Sequence, residues 1–442
     1  MRRRNYLDAG VALLAIAAFL SIGTAAPGAA FARGLAPGVP LRGWSGERAV
    51  SRHYDDWEPA IAADPNAPDV YRLVTRFGHP ACALHCPSGA IVLQVSRTDG
   101  RIWGPSRYLC RCRGAKWQAD PQIEVAAKSG IVEAAFLNGY NTWFTRSLDH
   151  GRTWSKAKSV LGPVAWSDKP ILATNPSGKS VYIAFNGPSD GDAIIAVSHD
   201  GGATWHQHRA ITSNRYTYAF GGHVLADGTV VFSETSLQYA KDGKHLRGTS
   251  RVLVVRSTDG GTTWKKKLVA TLQLGRVCTS KGCPPDFYDG HTALAADGHG
   301  RLLLLADGAV RRHGIRRVFA WESSDDGVTW GPRAQLSINT ANAGFPAAVG
   351  TKTGQFRVWF MDRRTGRWNT LYRTSYDGVH WSSPVRLSNA AGGASYKSPA
   401  GFLEAYGDYG EVDVTNTGKT VAIWGEGPSY AGPGGCWFDR QT

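Results

Sequence analysis

Apolar residues in this chain come in short runs divided by glycine, aspartate and serine. Ile91 to Val95, Val181 to Phe185, Ile194 to Val197 and Val252 to Val255 are such runs. Short apolar runs bounded by turn residues predict buried strands. Beyond the first few dozen residues no long apolar stripe recurs at helical spacing. The expectation is an all-β chain with no helix longer than about three turns.

The turns repeat. Four segments read Ser-x-Asp-x-Gly-x-Thr-Trp: Ser147 to Trp154, Ser198 to Trp205, Ser257 to Trp264 and Ser323 to Trp330. Two variants place Asp directly before Gly, at Asp99-Gly100-Arg101-Ile102-Trp103 and Asp377-Gly378-Val379-His380-Trp381. The six tryptophans are separated by 51, 51, 59, 66 and 51 residues, a period near fifty that signals a repeat architecture. Ser and Asp side chains accept hydrogen bonds from turn N–H groups, Gly tolerates positive φ, and Trp folds back on its neighbours.

These motifs are Asp boxes, and the chain resembles the Asp-box (bacterial neuraminidase repeat) superfamily over about residues 50 to 442. The resemblance implies a β-propeller whose boxes join the third and fourth strands of each blade. It makes the box aspartates folding devices, not catalytic groups.

A second element precedes the boxes and starts seven times. The starts are Trp57-Glu58-Pro59, Asp120-Pro121, Asp168-Lys169-Pro170, Gly222-His223, Asp289-Gly290-His291, Gly344-Phe345-Pro346 and Gly407-Asp408-Tyr409. Each reads as the head of an inner strand. The seventh unit runs out of chain before a fourth strand, and Arg48 to Arg52 could supply it. Seven blades are therefore favoured. Six, as in sialidases, is the alternative.

Propeller ligands usually bind where inner strands begin. Glu58, Asp120, Asp168, Asp289, Asp408 and Tyr409 are the candidate catalytic residues. Trp57, Lys169, His223, His291 and Tyr406 are the candidate ligand-binding ones. Aromatic rings beside carboxylates suit a sugar, since rings stack on sugar faces while carboxylates bind hydroxyls or do acid–base work. Asp before Pro is also ordinary turn chemistry, which would repeat without any site.

The resemblance implies specific machinery for sialidases: an arginine triad on the substrate carboxylate, an Asp acid/base, and a Tyr nucleophile assisted by Glu. The first arginine belongs to an Arg-Ile-Pro motif, and here that place reads Trp57-Glu58-Pro59. An acidic residue there would repel a sialic acid carboxylate. Tyr406 or Tyr409, with Glu404 or Glu411 nearby, stands near the place of the late tyrosine. Arg72, Arg76, Arg357 and Arg363 are stand-ins for the triad. The axial carboxylates therefore favour a neutral or cationic sugar, or a calcium ion; no cofactor is required.

Three function classes follow. One is a sialidase-like propeller binding or processing a glycan or envelope component. Another is an exo-α-sialidase or other glycoside hydrolase. The third is a non-catalytic structural or protein-interaction propeller. Whether the chain is an enzyme stays open at this point.

The N-terminus adds a location. Arg2 to Arg4, the apolar stretch Gly10 to Ile22 and the Ala30-Phe31-Ala32 site read as a signal peptide over 1–32, followed by a linker, 33–47, and a single domain, 48–442. The apolar run is short for a membrane span. Arg3-Arg4 loosely resembles a twin-arginine signal. The expectation is a secreted or periplasmic monomer with no stable membrane span after cleavage. The formal charge is +15, and cleavage removes three Arg and Asp8. Basic residues gather at Lys265–Lys267, Arg311 to Arg317 and Arg363 to Arg367. An exported basic surface suits a glycan or acidic cell-surface polymer and excludes nucleic acid. Export makes disulfides plausible, and Cys278 with Cys283 is the best pair. Cys82, Cys86, Cys110 and Cys112 form a cluster expected to hold another bridge, leaving Cys436 over.

Overall fold

The computed structural model describes residues 42–77, 89–110, 117–162, 167–187, 191–241, 245–280, 282–284, 287–389 and 393–442. The signal peptide, most of the linker, Cys82, Cys86 and Cys112 lie outside them. The described residues contain strands and turns and no helix. None is part of a helix long and apolar enough to cross a membrane.

The strands form small antiparallel meanders. The first comprises Asp55–Ala63, Val70–Phe77, Ala90–Ser96 and Arg107–Tyr108. Four-stranded meanders of the same kind begin at Gln118–Val125, Asp168–Thr174 and Ala343–Gly350. An eight-stranded sheet consists of two further meanders, begun by Tyr216–Val224 and Thr292–Ala296 and joined at the single pair Gln273–Ala309. The last sheet holds Glu411–Val414, Thr420–Gly427 and Gly435–Arg440, and Arg48–Ala49 pairs with its final strand. Glu404–Ala405 also pairs there.

Alternation along each strand sends apolar residues to both faces, because neighbouring meanders stack on both sides. Tyr71, Leu73, Ile91 and Leu93 of the first meander pack on Ile123, Val132, Ala134 and Phe136 of the second. Leu303, Leu305, Val318 and Ala320 meet Phe356, Val358 and Phe360 in the same way. First strands also bond across units: Glu411 Oε2 accepts Ile61 N–H at 2.6 Å, and Asp413 Oδ2 accepts Ala63 N–H at 2.6 Å.

The repeated turns have one hydrogen-bond pattern. In Ser147 to Trp154, Ser147 Oγ accepts Gly151 N–H at 2.7 Å, and Asp149 takes Thr153 N–H at 2.8 Å and Thr153 Oγ1–H at 2.6 Å. Asp200, Asp259 and Asp325 repeat it with Thr204, Thr263 and Thr329. These donors hold the Asp149 and Asp200 carboxyls well below the usual range. Gly151 has φ +74°, and a Cβ there would lie 2.9 Å from Tyr71 Cε1, so the turn seats directly on the preceding meander. The tryptophans are half-buried, not enclosed, and Trp205, Trp264 and Trp330 donate their indole N–H to the turn glycine's carbonyl at 3.1, 2.9 and 3.2 Å.

The two variant turns differ from each other. Asp377 keeps the usual role, accepting His380 N–H at 2.7 Å. At the first turn Thr98 takes it over, accepting Ile102 N–H at 2.9 Å. Asp99 is released to pair with Arg440 and to accept Thr417 Oγ1–H at 2.9 Å, tying the first meander to the last.

Cys278 and Cys283 are disulfide-bonded, with Cα atoms 6.0 Å apart. Cys110 is also disulfide-bonded, and Cys436 is a buried free thiol.

Candidate functional site

Four first strands carry the same irregularity. Glu58, Asp120, Lys169 and Phe345 have φ of +46°, +50°, +50° and +54°, and each precedes a proline. The ladder register shifts at each of the four. A left-handed non-glycine residue in a bulge is strained, and bulges re-aim a side chain. Glu58, Asp120 and Lys169, three of the residues singled out above, stand at these bulges, near the strand beginnings.

They meet. Glu58 Oε2 accepts Asp120 N–H at 3.0 Å and Thr75 Oγ1–H at 3.4 Å. Lys169 Nζ pairs with Asp408. Tyr409 donates its hydroxyl to the Pro121 carbonyl at 3.3 Å. Burial raises Asp120 well above a normal carboxyl, and the nearby Glu58 charge adds to it. Burial, then the Asp120 charge, pushes Asp168 up to about 7. Glu58 is raised mainly by burial, with Lys169 opposing. The group is thus a cluster of buried carboxyls, each raised, around one ammonium. Half-exposed Tyr140, Tyr216 and Tyr218 stand nearby, with Lys169 Nζ 5.9 Å from the Tyr218 ring centre.

Other expected residues do not join this cluster. Trp57 is 7% exposed and packs on Phe77, Tyr406 and Tyr430. Tyr406 is 1% exposed and donates to Asp55 Oδ1 at 2.7 Å. His223 lies at the far end of its strand, which begins at Tyr216, and its Nε2 is 3.0 Å from the Leu294 carbonyl. His291 Nδ1 is 3.0 Å from Asp307 Oδ2. Asp289 pairs with Arg316 at 3.0 Å and accepts Gly275 N–H.

Asp289 leads to a second centre. A pocket of about 680 Å³ opens among the start of Arg316–Ser323, the end of Phe356–Asp362 and the disulfide-bearing segment. Antiparallel order puts these points at the same end as the strand beginnings. Arg276, Arg316 and Arg363 line it, with His313 and Trp368. Arg276 and Arg363 reach solvent, while Arg316 is buried on Asp289. Facing them, Tyr288 donates its hydroxyl to Glu404 Oε1 at 2.5 Å. Burial raises the Tyr288 phenol, and the Glu404 charge raises it further. Burial also raises Glu404. A phenol held by a carboxylate is the arrangement of a hydroxyl primed by its base.

Sequence reading missed most of this pocket. Arg316 reads in sequence as part of the basic surface cluster Arg311 to Arg317 yet is buried, and Arg276, His313 and Trp368 belong to no motif. Of the four triad stand-ins only Arg363 lines the pocket, and Glu404 enters it as the partner of Tyr288, not of Tyr406 or Tyr409. Arg72 instead bonds Gln94 Oε1, Arg76 bonds Asp56, and Arg357 bonds the Gly418 carbonyl.

No family model matches the chain. Solved structures similar to it are sialidases and polysaccharide lyases. An ulvan lyase of polysaccharide lyase family PL25, bound to -[GlcA(1-4)Rha3S]-, aligns at 11% identity and TM-score 0.54, over 89% of this chain and 94% of that one. A Hadza microbial sialidase aligns at 17% identity and TM-score 0.43, over 88% of this chain. The match spans 65% of that sialidase's length. NanB sialidase from Streptococcus pneumoniae, as a K499G mutant, aligns at 10% identity and TM-score 0.48, over 92% of this chain and 70% of that one. Such identities speak for the fold alone. The chain is an all-β protein whose fold is similar to that of the ulvan lyase.

Proposed function

We propose that this chain is an exported, seven-bladed Asp-box propeller that takes an acidic saccharide into the pocket of Arg276, Arg316 and Arg363. The meander order supports seven blades, with Arg48–Ala49 completing the last. The observation that carries the ligand reading is the convergence of three guanidinium groups on one pocket, two of them exposed, where Glu404 is the one lining carboxylate among the described residues. Guanidinium binds carboxylate or sulfate in bidentate fashion. This departs from the preference for a neutral sugar that the axial carboxylates suggest, because those carboxylates are occupied by Lys169 and by each other. The pair Tyr288–Glu404 is the reactive element of the proposal: Glu404 takes the phenolic proton as the Tyr288 oxygen bonds to the anomeric carbon, the glycosidic bond breaks, and the departing oxygen takes a proton from water.

A direct test is titration with sialyllactose, a sulfated uronic-acid oligosaccharide and a neutral oligosaccharide of equal length, each scored for binding and for turnover. The acidic ligands should bind, and Tyr288→Phe should remove turnover while sparing binding. Equal or better binding of the neutral sugar would sink the reading.

A further inference from the structure

Away from both centres, the hairpin between the first two strands of the first meander meets the repeated turn of the second. Asp64 and Asp69 flank that hairpin, and His150 sits inside the turn. Asp64 is 1% exposed, and its Oδ2 has no hydrogen-bond partner. That oxygen lies 3.4 Å from His150 Nδ1, which also has none. Asp69 Oδ2 is 3.7 Å from the same nitrogen. The three donor atoms all lie within 4.8 Å of one another.

The geometry points to a divalent-metal site of the zinc class formed by Asp64, Asp69 and His150. A tetrahedral zinc with bonds of about 2.0–2.1 Å sets its ligands about 3.3–3.4 Å apart. The two measured separations from Nδ1 are 3.4 and 3.7 Å, too long for good hydrogen bonds and close to such an edge. A buried carboxylate oxygen left without a donor is costly, and a cation would satisfy it. One imidazole and two carboxylates suit zinc better than calcium, which takes six to eight oxygens.

Two further details fit. Gly130 walls the gap: a Cβ there would come 3.2 Å from His150 Cε1 and 3.7 Å from Asp64 Oδ2. His150 also has φ +57° at a turn position where two sister turns carry glycine, Gly201 and Gly260. The remaining contacts are accounted for. Asp64 Oδ1 accepts Asn66 N–H at 2.8 Å. Asp69 Oδ2 accepts from Tyr71 at 3.3 Å and from Arg97, whose other nitrogen donates to the His150 carbonyl at 2.6 Å. With Arg97 counted, the three ligands keep one net negative charge when His150 is neutral. A metal here would staple the first meander to the second.

The test uses untagged full chain stripped of metal with a chelator and then freed of it. Titration with zinc chloride should show one equivalent taken up and a higher melting temperature. Both effects should fall at least tenfold in affinity terms in His150→Ala and in Asp64→Asn, and persist in His199→Ala, which alters the next turn. His150 is 43% exposed on its side chain, so the alanine variant should fold. Absence of zinc uptake by the folded wild type would overturn the site. Undiminished uptake by His150→Ala would overturn it equally.

Discussion

The acid cluster around Lys169 and the arginine-lined pocket lie at the same end of the sheets, yet they handle charge in opposite ways. Around Lys169 the charged groups face one another: Asp408 pairs with the ammonium, and Asp120 and Asp168 are raised toward protonation. In the pocket one guanidinium is spent on Asp289, while Arg276 and Arg363 stay in water. Internally paired charge holds neighbouring strands together. Charge kept in solvent is available to a ligand. Under the proposed function, that difference, more than the presence of carboxylates, marks which of the two centres takes the ligand.

The contrast breaks most sharply by removing one cation from each centre. Lys169→Met should lower stability by about 3 kcal/mol, the usual loss when a largely buried pair is left one-sided. Arg363→Met should leave stability within about 0.5 kcal/mol, as an exposed change does. Denaturant melts of the two variants decide this. Equal losses would mean that both centres are structural.

Ligand affinity should reverse the order. Arg363→Met should weaken an acidic oligosaccharide about 10- to 100-fold, the worth of one or two charge-assisted bonds. Glu58→Gln should leave that affinity within about twofold. A larger loss from Glu58→Gln, read by calorimetry, would move the ligand to the axis.

The disulfide sharpens the pocket's side of the comparison. Cys278–Cys283 closes a short loop beside Arg276, Thr279 and Ser280. Cys278→Ser with Cys283→Ser should cost at most about 2 kcal/mol by loop entropy. Affinity for the acidic ligand should drop several-fold, because the loop carries part of the lining. Unchanged affinity would show that this wall of the pocket does not bind.

The smallest effect concerns pH. Asp168 has its folded pKa raised to about 7, so the folded state binds more protons than the unfolded one between about pH 4 and 7. Its contribution is full below about pH 4 and is lost as pH rises through 7. Partial solvent contact limits this to about 1 kcal/mol. Asp168→Asn should flatten that part of the stability decline between pH 5 and 8. An unaltered slope would mean that Asp168 titrates normally.

Much of the fold is written in local pattern. Turn chemistry is short-range, so Ser147, Asp149, Gly151 and Thr153 announce their hairpin from eight adjacent residues. The bulge residues Glu58, Asp120 and Lys169 stand out because each precedes proline in a repeated strand head. The fourth meander lacks that signal, and its first strand begins at Tyr216, six residues before Gly222. The pocket was hidden for a different reason. Arg276, Arg316, Arg363 and Glu404 come from four distant segments, and no local rule tells a converging arginine from a solvated one. Tyr288–Glu404 spans 116 residues and has no motif. The Asp64–His150 contact escaped notice because His150 fills a variable position of its turn.

The strand Arg48–Ala49 has a consequence for how the molecule is made. It lies on Gly435–Arg440, and Ser45 Oγ donates to Asp439 Oδ1 at 2.8 Å across 394 residues of chain. During synthesis the early meanders can assemble from contacts within about fifty residues, one after another, as the nascent chain emerges. The Arg48–Ala49 register must wait until residues 435–440 have left the ribosome, since long loops must close before such contacts form. Until then Thr420–Gly427 carries an open edge, the place where one nascent chain could pair with another. Released chains truncated before residue 435 should therefore be more prone to self-association than released chains that keep residues 435–440.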